Sequence, residues 1–263
     1  MSERDALFAA ILADPADDVS RLVFADWLEE TARPIAVARA RFIRLQIELA
    51  RGVPDDQFPH RAAEITTALA ALAARWARAW LAELPPRAAK AAWAQRLGAR
   101  AFRRGFVDGV TLPADVFRQA APVLFDTLPL TELHLHGAAR DVTALLAGPH
   151  LRRLRAVRLS GNWPGDRLVR RLAKCPDLGA VRELDLSRCR LTDTGALDLV
   201  RAPALEKLTS LRLAWNRLGV FGLDELATAP GIAALARLDV TGNPGTRLWT
   251  AYTRARYGPR LLF

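Results

Sequence analysis

The feature that most constrains this chain is a spacing. An apolar-x-apolar pair recurs as Leu133-His134-Leu135, Val157-Arg158-Leu159, Leu184-Asp185-Leu186, Leu211-Arg212-Leu213 and Leu238-Asp239-Val240, its second member advancing by 24 residues once and then by 27 three times. Alternation with period two is the pattern of a short strand with one face buried. A fixed period of this length marks stacked supersecondary units, none of which buries its apolar face alone. The spacing therefore predicts a solenoid, a class of fold that works through an extended surface rather than a buried reaction centre.

Each unit has more to it than the pair. The clearest copies read Leu154-x-x-Val157-x-Leu159-x-x-Asn162, Val181-x-x-Leu184-x-Leu186-x-x-Cys189, Leu208-x-x-Leu211-x-Leu213-x-x-Asn216 and Leu235-x-x-Leu238-x-Val240-x-x-Asn243. The Asn or Cys is placed to hydrogen-bond the turn that follows, whose buried backbone needs partners. A helical stretch comes next, as at Asp193–Val200 and Gly222–Ala227, in which Leu197 with Val200, or Leu223 with Leu226, are expected to face inward. Pro203 and Pro230 are expected to stop these helices.

These words resemble the leucine-rich repeat family over roughly residues 106–263. The period and the helical stretch resemble its ribonuclease-inhibitor-like subclass, most closely in the run from Leu184 to Gly195. The resemblance implies an α/β fold in which parallel strands line a concave face and helices a convex one. The expected array is a short right-handed βα solenoid of about five to six units. Solenoid ends need caps. Gly105–Pro113 reads as the first strand, with Val107, Val110 and Leu112 in frame; Thr246–Arg256 reads as a helix broken by Gly258-Pro259, and Leu261–Phe263 as a closing strand.

Residues 1–104 lack the repeat and read as an all-α module. Ser2 is placed to cap a first helix carrying Phe8, Ile11 and Leu12, with Asp5 at its third position. Ser20 is expected to cap a second, Pro34 to open a third with Ile43, Ile47 and Ala50 on one stripe, and Gly52 and Pro54 to end it. An Ala-rich helix is expected from about Pro59 to Leu81, and a last one from Pro85-Pro86 through Trp93 and Leu97. The words Arg21–Glu30 and Ala40–Leu49 resemble the bacterial repeat-companion domain over residues 1–52, a small helical module placed before repeats. That family brings no activity or ligand to transfer. The expected division is a helical module at 1–104 and a repeat array with terminal caps at 105–263.

Neither an apolar run of membrane length nor a signal pattern is visible, so a soluble cytoplasmic chain is expected. Two cysteines are too few for a disulfide framework, and Cys189 occupies a repeat turn position, so reduced structural thiols are expected. The net charge is +10, and all but Lys90, Lys174 and Lys207 of the cations are Arg. Charge is unevenly spread: residues 1–33 hold three Arg against eight acids, residues 34–104 thirteen cations against five acids. An acidic start docking on its own basic half is one consequence.

The frame lists a candidate concave face: Thr111, Glu132, His134, His136, Arg158, Ser160, Glu183, Asp185, Ser187, Ser210, Arg212, Asp239 and Thr241. Its mixture of signs suits a protein partner read by complementary charge more than a nucleic-acid groove. The alternative is a polyanion stripe, Arg167, Arg170, Arg171 and Lys174 at i, i+3, i+4 and i+7, part of a basic cluster that begins at Arg152. A solvated outer helix face explains the same stripe. Glu132, His134 and His136 share one strand face and include metal-ligand types, but no fourth ligand is evident. Trp163 and Trp215 adjoin the turn Asn residues as rim anchors or as packing beneath loops, with packing favoured. Asp26-Trp27 reads as structural, Trp27 as core and Asp26 as a partner for backbone or Arg. No phosphate-binding loop, nucleophile elbow or His-Glu-x-x-His appears. Neither catalytic residue, cofactor nor metal is expected, and the chain reads as a non-enzymatic protein-interaction scaffold with an unidentified protein partner.

Overall fold

Ser2 and Asp5 start the first helix as the sequence indicates. In the computed structural model, which describes residues 2–52, 60–84, 101–137, 149–161, 165–202, 206–233, 235–248 and 261–262, the Ser2 hydroxyl accepts the Asp5 N–H while the Asp5 carboxylate accepts the Ser2 N–H. This capping box opens α1 (Glu3–Ala13). The chain forms two compact units, residues 1–110 with 121–131, and residues 111–120 with 132–263.

The first unit is built on α1, α2 (Asp18–Glu30), α3 (Pro34–Arg51) and α4 (Arg61–Ala82). Asp17, not Ser20, caps α2: its carboxylate takes the Val19 and Ser20 N–H groups, and the Ser20 hydroxyl donates to it at 2.6 Å. Aspartate outcompetes serine there because its two oxygens satisfy two orphan donors at once. Pro34 occupies the first turn of α3, and Gly52 ends it at φ +86°. Ile43 and Ile47 are buried as expected, while Ala50 is exposed. Ile11, Phe24, Ala25, Leu28, Ala40, Ile43, Ile47 and Phe106 form the core, with Trp27 packed at its margin.

A short hairpin closes this core. β1 (Phe102–Arg103) pairs antiparallel with β2 (Phe106–Val107). The two residues between them have positive φ, Arg104 at +47° and Gly105 at +83°, as a type I′ turn requires. A Cβ on Gly105 would run into the Ile43 side chain. Gln46 grips the hairpin from α3, accepting the Gly105 N–H at 2.7 Å and donating to the Phe102 carbonyl at 3.0 Å. The fully buried Arg21 donates to the carbonyls of Pro15 (2.7 Å), Arg104 (3.1 Å) and Arg103 (3.4 Å). The single strand expected over Gly105–Pro113 is thus two. Asp108 makes the break: its carboxylate accepts both the N–H and the hydroxyl of Thr131. The chain resumes as β3 (Gly109–Pro113), then α5 (Ala114–Thr127).

One sheet is ordered β3, β4 (Glu132–His136), β5 (Ala156–Arg158), β6 (Glu183–Asp185), β7 (Ser210–Arg212), β8 (Arg237–Asp239) and β9 (Leu261–Leu262), the strands from β4 onward lying in the second unit. The six strands from β4 to β9 pair parallel in sequence order. Register repeats the sequence period: Glu132 pairs with Ala156, Ala156 with Glu183, Glu183 with Ser210, and Ser210 with Arg237. The closing strand pairs Leu238 with Leu261. Between strands lie α6 (Asp166–Leu172), α7 (Asp193–Val200) and α8 (Val220–Thr228), followed by the short α9 (Pro230–Ala233). Pro230 does end α8: Ala229 before it is extended, at ψ 129°.

Burial follows columns at the repeat period. Leu133, Val157, Leu184, Leu211 and Leu238 form one, and Leu154, Val181, Leu208 and Leu235 another. In the helices, Val169, Ala196 and Leu223 are equivalent, as are Leu172, Leu199 and Leu226, and all are buried. So Leu223 and Leu226 face inward as expected, but in α7 the inward pair is Ala196 and Leu199, with Leu197 and Val200 half-buried. Packing decides which stripe turns in, because α7 lies against both α6 and α8. The expected features at Asn162, Trp163, Pro203, the helix from Pro85 and most of Thr246–Arg256 lie outside the described residues.

Candidate interaction surface

The strands alternate as the spacing predicts. On β4, Leu133 and Leu135 are buried while Glu132 and His134 are partly open and His136 is exposed. On β3, Thr111 is exposed between buried Val110 and Leu112. Parallel register then lines the open side chains into rows. One row is His134, Arg158, Asp185, Arg212 and Asp239, in which Arg and Asp alternate from strand to strand. A second is Glu132, Glu183, Ser210 and Arg237, with the buried Ala156 between the two glutamates. Arg237 is an exposed member of this face that the sequence reading omitted, although it stands one period after Ser210. Beyond the strands, backbone bonds Gly161 N–H to Ser187 O and Trp215 N–H to Thr241 O carry the alignment into the turns, where Ser160, Ser187 and Thr241 lie.

The rows are electrostatically knitted. Arg158 reaches Glu132 at 3.3 Å and Glu183 at 3.8 Å, while Arg212 is 3.9 Å from Asp185. Asp185 and Asp239 also brace their own turns, accepting the N–H groups of Ser187 (2.9 Å) and Thr241 (3.1 Å). The Ser160 hydroxyl lies 3.2 Å from His134 Nε2. Burial, and then the neighbouring Arg158 guanidinium, hold the His134 imidazole below its ordinary pKa. The strand face thus carries paired charges of both signs at the edge of solvent. Among the described residues no group of three or more His, Cys, Asp or Glu side chains is arranged to hold a metal ion.

The alternative stripe lies on α6. Arg167, Arg170 and Arg171 are exposed, Lys174 is exposed in the turn after the helix, and Leu168, Val169 and Leu172 are buried beneath. Arg170 is engaged by Asp198 of α7 at 3.1 Å. In the first unit Asp26 pairs with Arg44 at 2.6 Å, and the Trp27 indole donates to Glu3 at 3.2 Å. Trp215 differs from the reading that packs it under a loop: it is 57% exposed.

The turns beside the surface depend on ladders between units. Asn216 Oδ1 accepts the N–H groups of Cys189 and Leu191, and its Nδ2 donates to the carbonyls of Leu186 and Leu213. Asn243 repeats the arrangement on Leu218, Leu213 and Val240. Cys189, at the same position, is a buried thiol in no disulfide that donates to the Leu159 carbonyl at 3.2 Å. A second ladder escaped the sequence reading. The Asp166 carboxylate takes the Thr192 N–H and hydroxyl, and one unit later Asp193 takes the Gly219 N–H at 2.6 Å. Its signal is the pair Asp193 and Gly195, echoed by Gly222: a Cβ on either glycine would run into the Asp of the unit before.

A family model described as Leucine Rich repeat matches residues 181–200 and 204–227. These two segments are similar to the leucine-rich repeat. The matched segments contain α7, β6, β7 and most of α8, the stretch in which period, register and both ladders coincide. No curated protein matches the chain. No described helix is long and apolar enough to cross a membrane.

Proposed function

We propose that this chain is a non-enzymatic scaffold whose open strand face binds a protein partner. The observation that carries the reading is the row His134, Arg158, Asp185, Arg212, Asp239, in which charges alternate at strand spacing. Exposed pairs of this kind add little to folding stability. They set a charge pattern that a partner matches or fails to match, which gives specificity. The units are read as a short βα solenoid of the ribonuclease-inhibitor-like subclass, with this face concave. Residues 1–104 are read as a separate helical module, repeat-companion-like at 1–52, that recruits a second partner. Glu132, His134, His136, Arg158, Ser160, Glu183, Asp185, Ser187, Ser210, Arg212, Asp239 and Thr241 are the proposed contacts. The Arg167, Arg170, Arg171 and Lys174 stripe is the alternative candidate: its cations are of one sign, which suits a nucleic acid or other polyanion rather than a partner matched by both signs.

The test is capture from native lysate by the intact chain at two salt concentrations, compared with an Asp185→Arg, Arg212→Asp reversal and an Arg170→Glu, Arg171→Glu reversal. A discrete protein held at both salts and lost with the first reversal supports the reading. Loss only with the second, together with nucleic acid bound at low salt alone, overturns it, since counterion release makes such binding fall steeply with salt.

A further inference from the structure

One turn position recurs through the second unit in a left-handed conformation. Gly137, Gly161, Arg188, Trp215 and Gly242 have φ of +90°, +73°, +58°, +57° and +71°, and they follow one another at the repeat spacing. Glycine adopts this conformation freely, whereas an L side chain there meets a steric penalty. Two of the five positions nevertheless hold long side chains, and these two touch. The Arg188 guanidinium lies over the Trp215 ring, 5.5 Å from its centroid. On the side of the next unit, a Cβ built on Gly242 would fall 2.7–3.0 Å from Cδ2, Cε3 and Cε2 of Trp215, so the ring rests on the Gly242 backbone.

The same edge exposes more apolar surface. Six residues after Trp215, Phe221 is 58% exposed in the first turn of α8, and its equivalent one unit later, Leu248, is 81% exposed. One and two units earlier the position holds Thr194 and Arg167. The turns carrying Trp215, Phe221 and Leu248 are hydrogen-bonded neighbours, with Trp215 N–H on Thr241 O at 2.7 Å and Gly245 N–H on Leu218 O at 2.9 Å. Within residues 187–194, 214–221 and 241–248 the charged side chains are Arg188, Arg190, Arg217, Arg247 and Asp193. The Asp193 carboxylate is occupied by the Gly219 N–H.

We propose that this turn edge is a second docking surface, taking an acidic protein segment that carries apolar anchors. Trp215, Phe221 and Leu248 cover the anchors, and Arg188 and Arg217 meet the carboxylates. A strained residue persists where the surroundings over-determine it, and such strain gathers at ligand-holding sites. Exposed Trp and Arg are the residue types that dominate binding hot spots. A nucleic-acid strand fits less well, because stacking needs open ring faces. Trp215 has neighbours against its ring from both adjoining units, and Leu248 offers no π-face.

The inference does not depend on the strand face. Its test titrates the intact chain with three probes: a pool of acidic peptides carrying Trp, Phe and Leu, the same pool with Asp and Glu replaced by Asn and Gln, and a pool of single-stranded oligonucleotides. Trp215→Gly installs the residue its equivalents hold, so it should fold with an unchanged or higher Tm. The expected result is binding of the acidic pool, weakened at least about tenfold by Trp215→Gly and by loss of the carboxylates. Phe221→Ser with Leu248→Ser, both on exposed positions, should weaken it likewise and serves if Trp215→Gly fails to fold. The Asp185→Arg, Arg212→Asp reversal should leave it intact, which separates this surface from the strand face. No binding of the acidic pool, equal binding by the edge variants, or a preference for the oligonucleotides overturns the proposal.

Discussion

Asn216 accepts the backbone N–H of Cys189, 27 residues earlier, at 2.9 Å, and so ties the turn of one repeat to the side chain of the next. The same amide serves Leu191, Leu186 and Leu213, all of it buried. The turns carrying Cys189 and Asn216 are therefore each completed by the next repeat, a physical basis for the nearest-neighbour cooperativity of repeat proteins.

Asn216→Ala should then cost about 2–4 kcal/mol, because it strands two buried N–H groups and the Leu186 carbonyl rather than removing one bond. Urea unfolding of the variant checks the figure. A loss below about 1 kcal/mol would show that water replaces the amide.

The Asp166 ladder predicts coupling between units. Gly195→Ala places a methyl against the Asp166 carboxylate, and overpacking of this kind costs about 1–3 kcal/mol. In an Asp166→Ala background the added methyl should cost less, giving a nonadditive double-mutant cycle. Additive losses would mean that the helices shift apart instead.

Relief of backbone strain predicts a gain. Arg188 holds φ +58° where its equivalents Gly161 and Gly242 hold glycine. Arg188→Gly removes about 1–2 kcal/mol of left-handed penalty and about 0.5–1 kcal/mol of cation–π contact with Trp215. Tm should rise slightly or stay level. A clear fall would show that the stack outweighs the strain.

His134 predicts a pH dependence. Burial, then Arg158, lowers its pKa in the folded chain below the ordinary imidazole value of about 6.5. The unfolded state then binds the proton more readily, so stability contributed by the neutral imidazole is present above pH about 6.5 and is lost as pH falls toward the folded value. NMR titration should place the His134 midpoint below 6.5, and Arg158→Gln should raise it. A midpoint at or above 6.5 would contradict the arrangement.

Much of the second unit is legible in sequence. The steps between Leu135, Leu159, Leu186, Leu213 and Val240 are the steps of the ladder register, since a one-residue slip would turn every leucine to solvent. The capping box of α1 and the start of α3 at Pro34 are equally local. Other features depend on distant partners. Ser20 has the composition of a cap, but Asp17 has the geometry. Gly105–Pro113 alternates like one strand until Thr131 captures Asp108. Leu197 and Val200 fit an inward stripe as well as Ala196 and Leu199 do, and only packing against α6 and α8 chooses between them.

The sequence by itself determined the period, the parallel register and which strand positions face inward, because all three follow from apolar alternation at a constant step. Tertiary structure alone decided the fate of the polar and aromatic side chains. Arg158 pairs with Glu132 and Glu183, Asp166 is spent on Thr192, and Trp215 stands exposed between Arg188 and Gly242. Each of those outcomes is set by a neighbour about one repeat away in the chain, and only folding puts the two side by side.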